Sequence, residues 1–341
     1  MTRTPLRISL GGGGTDLPSY AREFGGFVLS AAITKYVYIT VNRSFLPGYF
    51  LKYSETEHAR ARAEIRHPLM REALEMQDVP EPLEVVSVAD VPAGTGLGSS
   101  GTFAVGLMHA LHAYKREPVC AEKLAREAIE MEMVQLDEPV GMQDQYIAAY
   151  GGLLCQEYGT DGGVKVAPLA LSDAKVRELR DSLMLFFVGY TGNGYTRKAS
   201  ELLAEQKARS LAGDRAMLEC LHFTKELGCE IRSVLEAGRI AELGPLMDAH
   251  WQRKRARSKG MSNGRIDELY ELAVSEGGAT GGKLVGAGGS GFLLFQTSDR
   301  RRLRETMTGK TATRKTGTGA GLSEMDFSFD FDGSVVLVRN A

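Results

Sequence analysis

The stretch Pro92-Ala93-Gly94-Thr95-Gly96-Leu97-Gly98-Ser99-Ser100-Gly101 decides how the rest of the chain reads. Gly94, Gly96 and Gly98 fall at every second position, leaving a main chain with almost no Cβ bulk and free access to positive φ. Such a loop turns its N–H groups toward an anion, because no side chain stands between backbone and ligand. Phe103, Leu107, Leu111 and Tyr114 follow at helical spacing, so a helix is expected to begin near Ser99. A glycine-rich turn at a helix N-terminus joins free N–H donors to the positive end of the dipole, which suits a phosphate. No Lys follows the glycines as a Walker-type loop requires, and the plain alternative is a tight strand-to-helix turn with a Ser N-cap.

The bulk of the chain sets bounds around that loop. Its 341 residues suggest two domains, each able to bury a core, and 43% hydrophobic with 25% charged residues is the balance of a soluble globular protein. The formal net charge of −2 lacks the basic footprint of non-specific nucleic-acid binding. Cys120, Cys155, Cys220 and Cys229 are scattered without a CxxC pair, which points to neither a zinc site nor a disulfide framework. The first residues lack a signal-peptide pattern and no apolar run approaches membrane-spanning length, so a cytoplasmic place is expected.

Upstream, Arg7-Ile8-Ser9-Leu10 reads as a strand entering the turn Gly11 to Asp16, with a helix starting at Leu17-Pro18. Asp16 on local pattern alone is a possible N-cap for that helix. Phe27 to Val41 reads as a strand pairing with the first, Glu55 to Glu75 as a charged helix, and Val85 to Val88 as a strand feeding the glycine loop. In Ala121 to Leu136, Leu124, Ala128, Met131 and Gln135 mark one helical face and Glu132 lies beside it, where a solvated charge is the ordinary reading. Gly141-Met142-Gln143-Asp144-Gln145 breaks the pattern before a short helix, Tyr146 to Tyr150.

Downstream of Pro168, Leu183 to Val188 reads as a buried strand and Gly189 to Gly194 as a loop facing the ligand. Helices then span Thr196 to Leu211, Arg215 to Ala237, Arg239 to Arg257 and Asn263 to Ser275, with His250 and Trp251 in a core or domain-contact role. Gly286-Ala287-Gly288-Gly289-Ser290-Gly291 matches GxGxxG and Gly277 to Lys283 approaches a Walker loop, but Phe292 to Gln296 reads as a strand where both motifs need a helix. A helix over Asp299 to Met307 and alternating segments Asp326 to Phe331 and Ser334 to Arg339 finish the chain.

The run Pro-x-x-x-Gly-Leu-Gly-Ser-Ser at 92–100 resembles the second motif of the GHMP small-molecule kinases. Pro5, Arg7, Gly11, Thr15 and Asp16 resemble the first in its galactokinase-like form, with Gly13-Gly14 in place of a Glu-His pair, and Lys283 to Gly289 resembles the third. The resemblance implies an α/β (α+β) two-domain fold: a ribosomal protein S5 domain 2-like N-terminal domain over 1–170 and a ferredoxin-like C-terminal domain over 171–341. It implies ATP and Mg²⁺ as cofactors, with Pro92, Gly94, Gly96, Leu97, Gly98, Ser99 and Ser100 on the nucleotide and Ser100 and Glu132 on the metal. Asp144 would be the catalytic base with Arg7 beside it, and Asp16, Thr15, Gly14, Thr191 and Gly288 would meet the sugar. An acceptor-only carboxylate such as Asp16 suits two neighbouring hydroxyl donors.

Within the family the opening and the 140–152 block look most like the heptose kinase branch. That branch implies phosphorylation of the anomeric hydroxyl of D-glycero-α-D-manno-heptose 7-phosphate, giving the 1,7-bisphosphate for nucleotide-heptose and surface polysaccharide synthesis. The rivals are a fucose- or galactose-type sugar-1-kinase and a non-catalytic sugar sensor on the same fold. A distal substrate phosphate calls for a cation, with Arg22, Lys35, Arg197 and Lys198 as candidates. The partners expected are small molecules only, with neither nucleic acid nor membrane, and a homo-oligomer stays open.

Overall fold

A computed structural model describes residues 1–189, 199–257, 260–309 and 321–338. Thr191, Arg197, Lys198 and most of the expected ligand-facing loop lie outside the described residues.

The first sheet grows from an antiparallel pair, β1 (Thr2–Gly11) and β2 (Gly26–Arg43), with Arg7 opposite Ala32 and Ser9 opposite Ser30. Leu6, Ile8 and Leu10 of β1 enter the core, while Arg7 and Ser9 are buried polar residues between them. Because both faces of β1 are covered, the strand shows no exposed alternation. The 18-residue β2 takes two partners on its other edge: β6 (Leu153–Tyr158) along its first part and β5 (Leu83–Ala89) along its last. β3 (Tyr49–Lys52) and β4 (Thr56–Ala59) extend the sheet beyond β5, and β7 (Val164–Pro168) extends it beyond β6. Helices α1 (Pro18–Phe24), α2 (Pro68–Met76), α3 (Ser99–Lys115), α4 (Ala121–Ile129) and α5 (Gln143–Tyr150) belong to this half, α3 and α5 packing on β1 and β2.

The second sheet is antiparallel and contains β8 (Leu183–Gly189), β9 (Ala279–Leu284), β10 (Gly291–Thr297) and β11 (Ser323–Met325) in the order β11-β8-β10-β9. That spatial order, fourth-first-third-second, is the split βαβ arrangement of a ferredoxin-like sheet. Six helices accompany it among the described residues: α6 (Asp173–Ser182), α7 (Ala199–Leu211), α8 (Arg215–Glu236), α9 (Leu243–Arg257), α10 (Gly264–Ser275) and α11 (Arg300–Thr308). α8 packs both on β1 and β2 and on α9, so one apolar cluster runs from Leu6 and Ile8 through Ile231 to Leu185 and Leu294. Trp251 is fully buried against Tyr270 in a second cluster, as its core reading requires.

Three segments depart from the expectations. Glu55 to Glu75 is not one helix: β4 is followed by a 3₁₀ turn at Arg62–Glu64 and then α2. The main chain before Pro68 is held extended at His67, and Pro68, with no N–H to leave unsatisfied, opens α2. Glu57 within β4 is buried and accepts from Tyr53 Oη at 3.0 Å and Arg66 N at 2.5 Å. The helix over Ala121 to Leu136 changes pitch after Ile129 into a π-helical turn, Glu130–Gln135. Finally, the chain's end leaves the second sheet: Phe329 bridges Ile33, and β12 (Val335–Val336) pairs with Thr2 and Arg3 on the free edge of β1.

Candidate active site

The glycine loop has the geometry its spacing implies, with Gly94, Gly96 and Gly98 at φ +79°, +83° and +80°. Alternating left-handed residues turn successive N–H groups to one side, which makes an anion-binding concavity. α3 starts at Ser99 with left-handed Gly98, not a serine side chain, at the N-cap. Pro92, Ala93, Gly94 and Ser100 are exposed, whereas Leu97 is fully buried and anchors the loop in the core. Ser99 Oγ is buried and has no hydrogen-bond partner among the described residues.

Below the loop lies a turn from the other half of the molecule, between β9 and β10. A Cβ on Gly96 would stand 2.6 Å from Val285 O, and one on Gly286 would stand 2.5 Å from Gly96 Cα. Backbone therefore packs on backbone across the two domains, which explains why the third glycine-rich segment sits under the second. Gly288 lies on another side of this turn, against Met261, and is left-handed at φ +122°.

Arg7 reaches from β1 to the tip of the glycine loop. Its Nε and Nη2 donate to the two carboxylate oxygens of Asp144 at 2.7 and 2.9 Å, and its Nη1 donates to Gly96 O at 2.5 Å. The fork geometry fixes the carboxylate in plane as well as in place. Arg7 is 6% exposed, and the Asp144 side chain keeps 23% of its surface open. A Cβ on Gly98 would lie 3.2 Å from Asp144 Cγ, so the loop's last glycine sits directly over this pair.

Glu132 is 1% exposed and faces inward, whereas Gln135, the residue expected on that face, is exposed. The wider π turn shifts which residues share a face, and this rotates Glu132 under α3. Ser100 Oγ donates to its Oε1, and Gln145 Nε2 donates to its Oε2 at 2.6 Å. Burial pushes the Glu132 carboxyl up to about 7, against the pull of those two hydrogen bonds; the Asp144 charge adds to the rise. The pair of oxygen donors, Ser100 Oγ and Glu132, is a donor set of the kind a hard divalent cation takes.

The first-motif loop is built differently. Thr15 and Asp16 are fully buried. Thr15 Oγ1 donates to the carbonyls of Gly12 and Phe27, at 2.8 and 2.9 Å. Asp16 does not cap α1, which begins after Leu17 without a side-chain cap; its partner is instead the first residue of α5. Its Oδ1 accepts from Gly14 N at 3.0 Å and its Oδ2 from Gln143 N at 3.1 Å, while Gln143 Nε2 spans both oxygens at 3.2 and 3.3 Å. Burial raises the Asp16 carboxyl, with the Asp144 charge acting the same way and the main-chain donors opposing. Gly14 O in turn accepts from Gln206 Nε2 of α7 at 2.7 Å.

The sequence assigned no role to Gln206, nor to Gln143, Gln145 and Lys283 within the motifs that contain them. Lys283 is 3% exposed on β9, donates to Leu10 O at 3.0 Å and lies 3.4 Å from His250 Nδ1. Burial, helped by the Arg7 charge, pulls its ammonium down to about 7. The available signal was a lysine inside a strand between glycines and buried apolar residues. Of the expected distal cations, Arg22 is exposed on α1 and Lys35 lies in the bulge of β2 opposite Pro5 and Leu6.

Known proteins match this geometry in both halves. Residues 61–152 match the GHMP kinases N terminal domain and 231–311 the GHMP kinases C terminal domain, together about half of the chain. The D-glycero-alpha-D-manno-heptose 7-phosphate kinase of Campylobacter jejuni is 29% identical over 86% of this chain and 88% of its own. A D-glycero-D-manno-heptose 1-phosphate kinase from Bacteroides thetaiotaomicron superposes with a TM-score of 0.74 at 23% identity, covering 98% and 97% of the two chains. Lactococcus lactis galactokinase complexed with galactose superposes with a TM-score of 0.76 at 16% identity, over 98% and 94%. With its two-domain fold and with both family domains in order, the chain belongs to the GHMP kinase family and is a kinase.

Proposed function

We propose that this enzyme, a sugar kinase, transfers the γ-phosphoryl group of ATP to the anomeric hydroxyl of D-glycero-α-D-manno-heptose 7-phosphate, yielding the 1,7-bisphosphate and ADP. The observation that carries the reading is the Arg7–Asp144 fork lying under Gly98, with the Ser100–Glu132 pair at the first turn of the same helix. The relative in Campylobacter jejuni supports the heptose 7-phosphate assignment.

In this reading the 94–98 main chain holds the nucleotide phosphates, with Pro92 and Ser99 at the loop's ends and the buried Leu97 anchoring it. Ser100 and Glu132 would hold Mg²⁺, which supplies charge neutralisation at the transferring phosphate. Asp144 takes the proton from the sugar hydroxyl as that oxygen bonds to phosphorus, and ADP leaves on the opposite side. Arg7 keeps the carboxylate aimed and places positive charge beside the moving phosphoryl group. Phosphoryl transfer runs through a loose transition state, so positioning and charge carry most of the rate. Asp16 receives a sugar hydroxyl in exchange for the long, shared bond from Gln143 Nε2, and Thr15, Gly14 and Gly288 shape the loops around it.

The test is an ADP-release assay over sugars and sugar phosphates. Turnover of the heptose 7-phosphate at C1, lost when the distal phosphate is removed, supports the reading. Equal turnover of unphosphorylated galactose or fucose points to the other sugar-1-kinase type, and no ADP release with any sugar leaves a sugar sensor.

A further inference from the structure

Away from the Arg7–Asp144 pair, a cavity of about 620 Å³ opens between the end of α5, the β6–β7 edge of the first sheet, α6 and the returning tail. Ligand-sized pockets run from about 300 to 1,000 Å³. Leu154, Leu169 and Phe329 form a buried apolar floor, and Phe331 stands at the mouth with 59% of its surface exposed. Arg177 and Arg180 of α6, one turn apart, stand on the rim. Arg180 is paired with Asp181, Nη2 to Oδ1 at 2.7 Å. Asp173, also on the rim, sits in the first turn of α6, where the helix dipole accommodates its charge. Arg177 makes no ion pair among the described residues, so its five-donor fork is open to an incoming anion.

The walls of this cavity connect to both members of the catalytic pair. α5 carries Asp144 in its first turn and ends at Tyr150 on the cavity, a rigid helix about 12 Å long at 1.5 Å per residue. On the other side, Gly152 N donates to Asp330 O at 2.6 Å, Asp330 N to Ala32 O at 3.0 Å and Ala32 N to Gly152 O at 2.9 Å. Ala32 is the residue opposite Arg7 in the β1–β2 pairing. The tail and α5 thus each lead, through one strand and one helix, to one member of that pair.

We infer that this cavity is a second binding site, separate from the kinase site, for a small amphipathic anion. Its chain or ring covers the apolar floor, its carboxylate or phosphate ester engages Arg177, and its occupancy changes turnover.

Isothermal titration of the full chain with decanoate and with decyl phosphate tests this, decanol serving as the uncharged control. The expected result is saturable binding of at least one anion, the tighter of the two naming the anionic group, with decanol at least about tenfold weaker. Arg177→Gln should weaken the anion about tenfold, Val176→Trp should abolish binding by filling the cavity, and both should keep wild-type turnover without ligand. Saturating ATP should leave the binding intact, and the bound anion should change kcat. The proposal falls if neither anion binds, if decanol binds equally well, if both variants bind like wild type, if ATP displaces the anion, or if kcat does not respond.

Discussion

Two glycine-rich loops flank the Arg7–Asp144 pair, and they use glycine for opposite ends. The 94–98 loop is open: its glycines are left-handed, and Pro92 to Gly94 are exposed. The 11–16 loop is closed on itself: Thr15 and Asp16 have no exposed surface, and their polar atoms hold Gly12, Gly14, Phe27 and Gln143. In the proposed reading the open loop would meet an anion with the backbone itself, which suits many anion shapes. The closed loop is an arrangement of side chains that a ligand enters only by exchanging one hydrogen bond for another, which suits discrimination between sugars.

If both loops converge on one reacting centre, removing the carboxylate between them has the largest effect. Asp144→Ala should lower kcat by about a hundred- to ten-thousandfold while leaving nucleotide affinity nearly unchanged. Survival of kcat within about tenfold, ~1.4 kcal/mol, would remove Asp144 from the role of base.

The closed loop rests on a buried ammonium, Lys283 on Leu10 O, and this sharpens the contrast through pH. The unfolded chain takes up that proton near 10.5 and the folded chain only near 7, so stability rises with pH across this window and is flat below it. Lys283→Met should therefore gain stability relative to wild type as pH falls from 10 to 7, on the order of a few kcal/mol. Parallel melting curves of the two proteins across that range would contradict the burial argument.

The open loop should instead be sensitive to a single methyl group. Gly96→Ala places a Cβ against Val285 O and forces positive φ on a residue with a side chain, costing about 1–3 kcal/mol in chemical denaturation. The KM for ATP should rise with it, and an unchanged melting point and KM would mean the two glycine turns are not locked together.

The smallest effect should separate the loops cleanly. Gln143→Ala removes the amide that the sugar hydroxyl must displace from Asp16 and should lower the sugar KM about threefold with the ATP KM unmoved. Equal movement of both would show that the loops do not act separately.

Much of this site was legible in the sequence. The every-second-glycine spacing announced positive φ, the apolar periodicity placed α3 at Ser99, and the strand after Gly291 excluded a dinucleotide fingerprint. Glu132 was legible only through resemblance, since α-helical periodicity places Gln135 on the inner face, and the π turn reverses that choice. The roles of Gln143 and Gln206 were hidden because each contacts a loop more than a hundred residues away along the chain. The tail's return to β1 was hidden for a similar reason: two alternating segments do not say which sheet edge they join.

The sequence by itself determined the properties that belong to neighbouring residues: left-handed backbone at Gly94, Gly96 and Gly98, the helix that follows them, the strand that carries Arg7, and family membership through three ordered motifs. Only the tertiary structure decided that Thr15 and Asp16 are sealed, that Glu132 turns inward, that Lys283 is a buried cation under Leu10, and that α5 and the tail enclose a second cavity. The physical reason is range. Backbone dihedral preference acts within a few residues, whereas burial, desolvation and hydrogen-bond partnership depend on which distant segments the packed core brings against each other.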